Sequence, residues 1–187
     1  MKPVELLRIL HTAEKLKDTT RHCDTSGGRR ESVAEHSWRL ALMAFFLRDK
    51  FPELDMDKVV RMCLIHDLGE CFTGDIPSFL KTEDDTSKEE ALLSRWVAEL
   101  PAPYRTELAG LYAEMDALET QEARLYKALD KLEAVIQHNE APIATWLPRE
   151  YQLNLTYADE NVAFSPYLTA LREAVRDETR EKIAKGE

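Results

Sequence analysis

The chain has 187 residues, 44% of them apolar and 32% charged, with a formal net charge of −10. That length and composition suit one domain around one core and exclude a disordered chain. The acidic balance argues against a long polyanion such as DNA or RNA as partner, because phosphate contacts need clustered cations. It leaves room for a small anionic substrate where a metal ion or a few arginines reverse the potential.

No apolar run reaches the length that spans a bilayer, and the start, "MKPVELLRIL", lacks the layout of a signal peptide. Cys23, Cys63 and Cys71 are odd in number and lack CxxC spacing, which fits reduced thiols rather than disulfides or a structural zinc. The expectation is a cytoplasmic protein with no membrane association.

Glycine is scarce and strand-like alternation nearly absent, so the chain reads as helices with polar breaks. Residues 3–17 show helical spacing at Leu6, Leu7, Leu10, Ala13 and Leu16. "DTTRHCDTSGGRR" then reads as a polar break. Ser32, with Glu35 three residues on, predicts a capping box opening a second helix that runs to about residue 50, before Phe51-Pro52. Its apolar face, Val33, Leu40, Met43, Ala44 and Leu47, also carries His36. Asp55 starts a third helix containing "MCLIHDLGECFTGDIPS", residues 62–78. Residues 73–86 look like a loop, and helices are expected near 87–99, 102–114, 119–139 and 166–184. Residues 140–165 give no clear pattern. The fold class is all-α: six or seven helices in one compact bundle.

The third helix holds an anomaly. At about 100° per residue from Met56, His66 falls near 280°, Glu70 near 320° and Asp67 near 20°, in the sector of Val59, Val60 and Cys63. Buried carboxylates and imidazoles are costly unless they are paired or bind a metal. A core histidine bonded to a carboxylate satisfies that rule, and so does a metal site shared with His36. The helix near 119–139 adds Asp130 in "LYKALDKLEAVI", on a semi-apolar flank with Ala123, Tyr126 and Ala134, where it is either a surface charge or a buried one.

His36, the adjacent pair His66-Asp67 and a distant Asp130 in a helical chain resemble the HD-domain metal-dependent phosphohydrolases. "ESVAEHSWRLALMA", "LIHDLGECFTGDIPS" and "KALDKLEAVIQ" look like the 5'-deoxynucleotidase (YfbR-like) branch. The resemblance covers about residues 5–140. It implies a single HD domain over 1–187, with a C-terminal helical extension from about 141. It also implies His36, His66, Asp67 and Asp130 as ligands of one divalent transition metal ion, with cobalt, manganese, iron, nickel and zinc all open. Glu70 matches a carboxylate beside the attacking water, and Asp75 an acid for the leaving oxygen. Arg21 and Lys81 match residues that bind the substrate phosphate. A homodimer is implied too, with apolar helix faces away from the metal region contributing to it. Trp38, Trp96 and Trp146 are expected in the core or in subunit contacts.

The activity so implied is hydrolysis of a small phosphomonoester, most simply a deoxyribonucleoside 5'-monophosphate, to nucleoside and phosphate. The branch usually follows its arginine closely with a tryptophan. Here His22 follows Arg21, which leaves the nucleotide's identity open. Two alternatives keep the same metal set: a hydrolase of another phosphorylated nucleotide or small metabolite, and a non-catalytic nucleotide or metal sensor. A second metal would need further ligands, and His11, His22 and His138 do not continue the motif.

Overall fold

Pro3 opens α1, Pro3–Ala13, which runs into a 3₁₀ turn at Glu14–Lys17. The structure, a computed structural model, describes residues 1–186. Residue 187, the last of the expected domain, lies outside them. The apolar residues of α1 do not turn inward: Leu6, Leu7 and Leu10 are exposed, and Leu16 in the following turn is buried.

The expected polar break is corrected by an antiparallel hairpin, β1 (Thr20–Asp24) and β2 (Arg30–Ser32). Thr20 pairs with Ser32 and Asp24 with Arg30, with an irregularity between. The turn closes through Gly28 at φ +77°, a value glycine adopts without strain. Short polar strands carry no apolar alternation, so period-2 patterning could not reveal them.

α2, Val33–Phe46, begins with the predicted capping box. Glu35 N donates to Ser32 Oγ at 3.3 Å, and Ser32 N donates to Glu35 Oε2 at 2.9 Å. It ends before residue 50, and a 3₁₀ turn follows at Arg48–Lys50. Asp55 caps α3, Met56–Ile65, by accepting from Lys58 N at 2.9 Å.

The predicted third helix does not run unbroken through Glu70. After Ile65 the hydrogen bonds tighten to three-residue steps, Leu68 N to Ile65 O and Glu70 N to Asp67 O. A short helix, α4 (Glu70–Thr73), then ends at Gly74, φ +79°. A Cβ on Gly69 would stand 2.8 Å from Glu89 Cγ, so the tight turn is also where another helix presses on bare backbone. That helix is α5, Glu83–Ala98, which starts before the expected residue 87 because Thr82 and Asp85 form a capping box.

α6 (Ala102–Ala117) and α7 (Gln121–Glu140) follow much as predicted. Residues 140–165 contain a 3₁₀ turn at Ile143–Thr145, then α8 (Glu150–Thr156) and α9 (Asp159–Val162). Ser165 caps α10, Pro166–Lys185. The hairpin apart, the class is all-α as expected, and no described helix is long and apolar enough to cross a membrane.

α7 is the central post. Its Leu125, Leu129 and Leu132 are fully buried among Leu40 and Ala44 of α2, Val59 and Met62 of α3, and Leu168 of α10. Each such side chain contributes about 1.5–3 kcal/mol by leaving water. A smaller cluster of Leu16, Val33 and Cys71 ties the 3₁₀ turn, the start of α2 and α4 together. The main core thus brings α2, α3 and α7 side by side, while the small cluster steadies the turn after α3. Of the three tryptophans, Trp146 is buried, Trp96 is half-buried against Phe72, and Trp38 is 61% exposed on α2, outside the core, so of the two expected placements only a subunit contact is open to it.

Candidate metal centre

Three elements bring four side chains to one point. The Ser32 cap sets the start of α2, so His36 falls one turn in and is fully buried. His66 closes α3 and Asp67 opens the tight turn; Asp130 comes from the middle of α7. His36 Nε2 lies 3.3 Å from His66 Nε2 and 3.3 Å from Asp130 Oδ1. His66 Nε2 lies 3.0 Å from Asp67 Oδ2 and 3.7 Å from Asp130 Oδ1, and His36 Nε2 is 3.9 Å from Asp67 Oδ2. Atoms that share one divalent ion stand roughly 3–3.5 Å apart.

The far side of each imidazole sharpens this. His66 Nδ1 is 2.9 Å from the Cys63 carbonyl, which can only accept, so the ring proton sits on Nδ1. His36 Nδ1 bonds Glu133 Oε2 in the same sense. In the neutral rings both Nε2 atoms then present lone pairs to each other and to two carboxylates. Four acceptors converge with no donor among them, which is a cation's environment, and the residues fit a divalent ion.

Glu133 is itself fixed by Arg39 Nε at 2.6 Å. Replacing Glu133 with glutamine is expected to weaken Mn²⁺ or Co²⁺ affinity by about 10- to 100-fold, because the bond that sets the His36 tautomer weakens. Competition against a fluorescent chelator measures this, with circular dichroism to check folding. Unchanged affinity would remove Glu133 from the centre.

The same crowding of charges shifts the protons of the cluster. Burial opposes charge on His66, but Asp67 and Asp130 outweigh it and raise its pKa to about 10. Burial also opposes ionisation of Asp67, yet His66, His36 and Arg21 hold it well below the usual range. Asp130 is held low likewise, chiefly by Lys127, whose Nζ is 2.9 Å from its Oδ2. Glu70 goes the other way. It is buried, its Oε2 has no hydrogen-bond partner, and burial with the Asp67 and Asp75 charges raises it to about 10. Asp75 is pushed up by burial and by Asp67, against Arg21.

A cavity of about 250 Å³ opens beside the cluster. Asp67, Asp130, Glu70, Asp75, Arg21 and Lys81 all line it, so every sequence-predicted site residue stands in the cluster or on this wall. Arg21, on β1, reaches Asp67 Oδ2 at 3.4 Å and Glu31 Oε2 at 3.4 Å. Lys81 is held by Glu89 Oε2 at 2.9 Å, and Glu89 also accepts from Thr73 Oγ1 at 3.2 Å. A second cavity, about 620 Å³, lies against the other side of His66 and Asp67 among α5, α6 and α7, and it shares Asp67, Lys81 and Lys127 with the first.

Sequence reasoning missed Glu133, Arg39, Lys127 and Glu31. For Glu133 a signal existed: it lies four residues after Leu129, on the buried stripe of α7, just as His66 lies on that of α3. Glu31 and Arg39 depend on the hairpin and on packing across helices, which no spacing reveals.

Residues 13–172 match a family model described as an HD domain. The chain is 33% identical to 5'-deoxynucleotidase HDDC2 of Mus musculus over 139 residues, covering 72% of this chain and 69% of the mouse protein. It is 35% identical to the Homo sapiens protein of that name over 114 residues, 60% of this chain but only 55% of the human one. The crystal structure of a predicted metal-dependent phosphohydrolase from Magnetospirillum magnetotacticum MS-1 superposes with a TM-score of 0.79 at 29% identity, over 96% of this chain and 95% of that one. With its motif residues gathered at one point and the family model matched over most of its length, the chain belongs to the HD-domain family.

Proposed function

We propose that this chain, a single HD domain, is a metal-dependent phosphohydrolase that converts deoxyribonucleoside 5'-monophosphates to nucleoside and phosphate. The observation that carries the reading is the convergence of two imidazole lone pairs and two carboxylates beside a cavity lined by Arg21, Glu70 and Asp75. The similarity to proteins named 5'-deoxynucleotidase supports the substrate class.

His36, His66, Asp67 and Asp130 hold one divalent transition ion in this reading, whichever of cobalt, manganese, iron, nickel or zinc serves. Such an ion, when bound, polarises a phosphoryl oxygen and favours ionisation of a nearby water. The chain's own groups do the rest. Arg21 offers a guanidinium fork to the phosphate, and Lys81 adds a second cation once it leaves Glu89. Glu70 takes a proton from the attacking water as the new P–O bond forms. The bond from phosphorus to the 5'-oxygen breaks, and Asp75 gives that oxygen its proton. Two carboxyls in different settings can take these opposite roles, and the raised pKa of Asp75 suits a donor. The presence of both groups favours an enzyme over a sensor, since neither is needed to hold the ion.

The test is phosphate release from dAMP, dGMP, TMP and AMP by purified protein with Co²⁺ or Mn²⁺. Release that requires the metal is expected. Tight nucleotide binding with negligible release would favour the sensor instead.

We also infer a homodimer. Leu6, Leu7 and Leu10 on α1 and Trp38, Leu42 and Phe45 on α2 are exposed large apolar side chains, the kind of surface that a subunit contact would cover. Light scattering should give twice the 21.5 kDa chain mass, and Trp38→Glu or Phe45→Glu should lower it. A wild-type monomer at micromolar concentration would contradict the inference. The buried free thiols of Cys23, Cys63 and Cys71 support a reducing, cytoplasmic setting.

A further inference from the structure

Arg21 stands between two carboxylates. Its Nη1 donates to Asp67 Oδ2 at 3.4 Å, and its Nε lies 3.4 Å from Glu31 Oε2. Glu31 comes from β2, the strand paired with Arg21's own, and is 3% exposed. β1 is held from its other flank. His22 Nε2 lies 3.0 Å from Oε1 of the buried Glu150, at the start of α8, and Gln137 Nε2 donates to Asp24 O at 2.9 Å. With the strand anchored at His22 and Asp24, Arg21 changes partners by turning its side chain.

Glu31 needs a donor. Its Oε2 is buried and accepts no hydrogen bond, an uncommon and costly state for a carboxylate oxygen. Glu31 also stands beside Glu133: one oxygen of each and a ring nitrogen of His36 lie within 4.8 Å of one another. Buried carboxylates that close need cations. Arg39 is committed elsewhere, to Glu133 through Nε at 2.6 Å and to Glu140. Arg21 is therefore the partner for Glu31, near enough for an ion pair but without the alignment of a hydrogen bond. Its bond to Asp67 is the one that gives way. Asp67 Oδ2 is among the four acceptors at the ion site, so a bound ion supplies the positive charge that Arg21 supplies there now.

We propose that Glu31 is the positioning residue of Arg21: it holds Nε while Nη1 and Nη2 turn from Asp67 to the phosphate. This rests on the phosphohydrolase reading, in which Arg21 meets the phosphate. A guanidinium is planar, so with Nε occupied its two terminal nitrogens form an end-on fork that matches two phosphate oxygens. The same turn gives the orphaned Glu31 oxygen its donor. Glu31 touches neither phosphate nor ion; it acts through the arginine alone.

The experiment is isothermal titration of the Mn²⁺-loaded protein with inorganic phosphate, in wild type, Glu31→Gln, Arg21→Ala and the double variant. Glu31→Gln keeps the shape and one acceptor but loses the charge. It should weaken phosphate binding about three- to tenfold while Mn²⁺ affinity stays at the wild-type value. In the Arg21→Ala background the same change should cost nothing further, because no arginine remains to be positioned. A carboxylate that only braced the hairpin would cost the same in both backgrounds. Glu31→Asp keeps the charge and withdraws it by one methylene, so it serves in place of Glu31→Gln should that variant not fold, with the same pattern expected. Phosphate binding at wild-type strength in the Glu31 variant, equal losses in both backgrounds, a matching loss of Mn²⁺ affinity, or no phosphate binding by loaded wild type would each overturn the proposal. Failure of the phosphohydrolase reading shows separately, as no phosphate release from deoxynucleotides by the metal-loaded wild type.

Discussion

Replacing Asp67 with alanine is expected to lower phosphate release by about a thousandfold or more, the loss that follows when a metal-ion catalyst is displaced. Asp67 Oδ2 meets His66 Nε2 at 3.0 Å and Arg21 NH1 at 3.4 Å, so the change removes one of four converging acceptors and frees the arginine together. Asp67→Asn separates the two effects, because it keeps the shape and one acceptor while losing the charge. Both variants should bind Mn²⁺ or Co²⁺ more weakly, and added metal should restore Asp67→Asn before it restores Asp67→Ala. Activity retained at the wild-type level in Asp67→Ala would sink the assignment.

Glu70→Gln is expected to lower turnover by about 100- to 10,000-fold, the range for removing a general base, with metal affinity nearly unchanged. It should also stabilise the metal-free protein. The folded-state pKa of Glu70 is about 10 against an ordinary 4.5. Between those values the folded chain binds a proton that the unfolded chain has released, so stability from this group falls as pH rises. Glutamine cannot ionise and escapes that loss. Melting temperatures in chelator at pH 5, 6, 7 and 8 should therefore diverge, the variant gaining on wild type at each step. Parallel profiles would show that Glu70 is not held protonated. A residue that costs stability in the empty site and supports turnover in the loaded one fits a site shaped for chemistry rather than for rigidity.

The helices that build the core were legible because their caps and apolar periods are local. Ser32 with Glu35 and Asp55 at α3 each appear in the structure where the residues predicted them. Asp130 shows the limit of that method. Its angular position left it between surface and interior, and only packing of α7 against α2 and α3 put it 3.3 Å from His36. The resemblance, not the periodicity, had joined those two residues. The wheel also treated residues 56–70 as one regular helix. Three-residue steps after Ile65 and the close approach of Glu89 to Gly69 replace it with a tight turn, so Glu70 reaches the cavity by a different path from the one its phase implied. The hairpin that carries Arg21 and His22 was missed because its five- and three-residue strands are mostly polar and show no apolar alternation, although Cys23, Glu31 and Ser32 are buried. Glu150 was out of reach for a related reason: its 3.0 Å partner His22 lies on the hairpin at the other end of the chain.

The central claim is that His36, His66, Asp67 and Asp130 hold one divalent ion next to the cavity that takes the nucleotide. Anomalous X-ray diffraction from crystals grown with Mn²⁺ and a deoxynucleoside monophosphate, in the Glu70→Gln variant to slow turnover, tests it most directly. One anomalous peak is expected within bonding distance of His36 Nε2, His66 Nε2, Asp67 and Asp130, with the phosphate beside it and Arg21 turned toward that phosphate. A peak elsewhere, or none at these four side chains while the nucleotide is bound, would contradict the account.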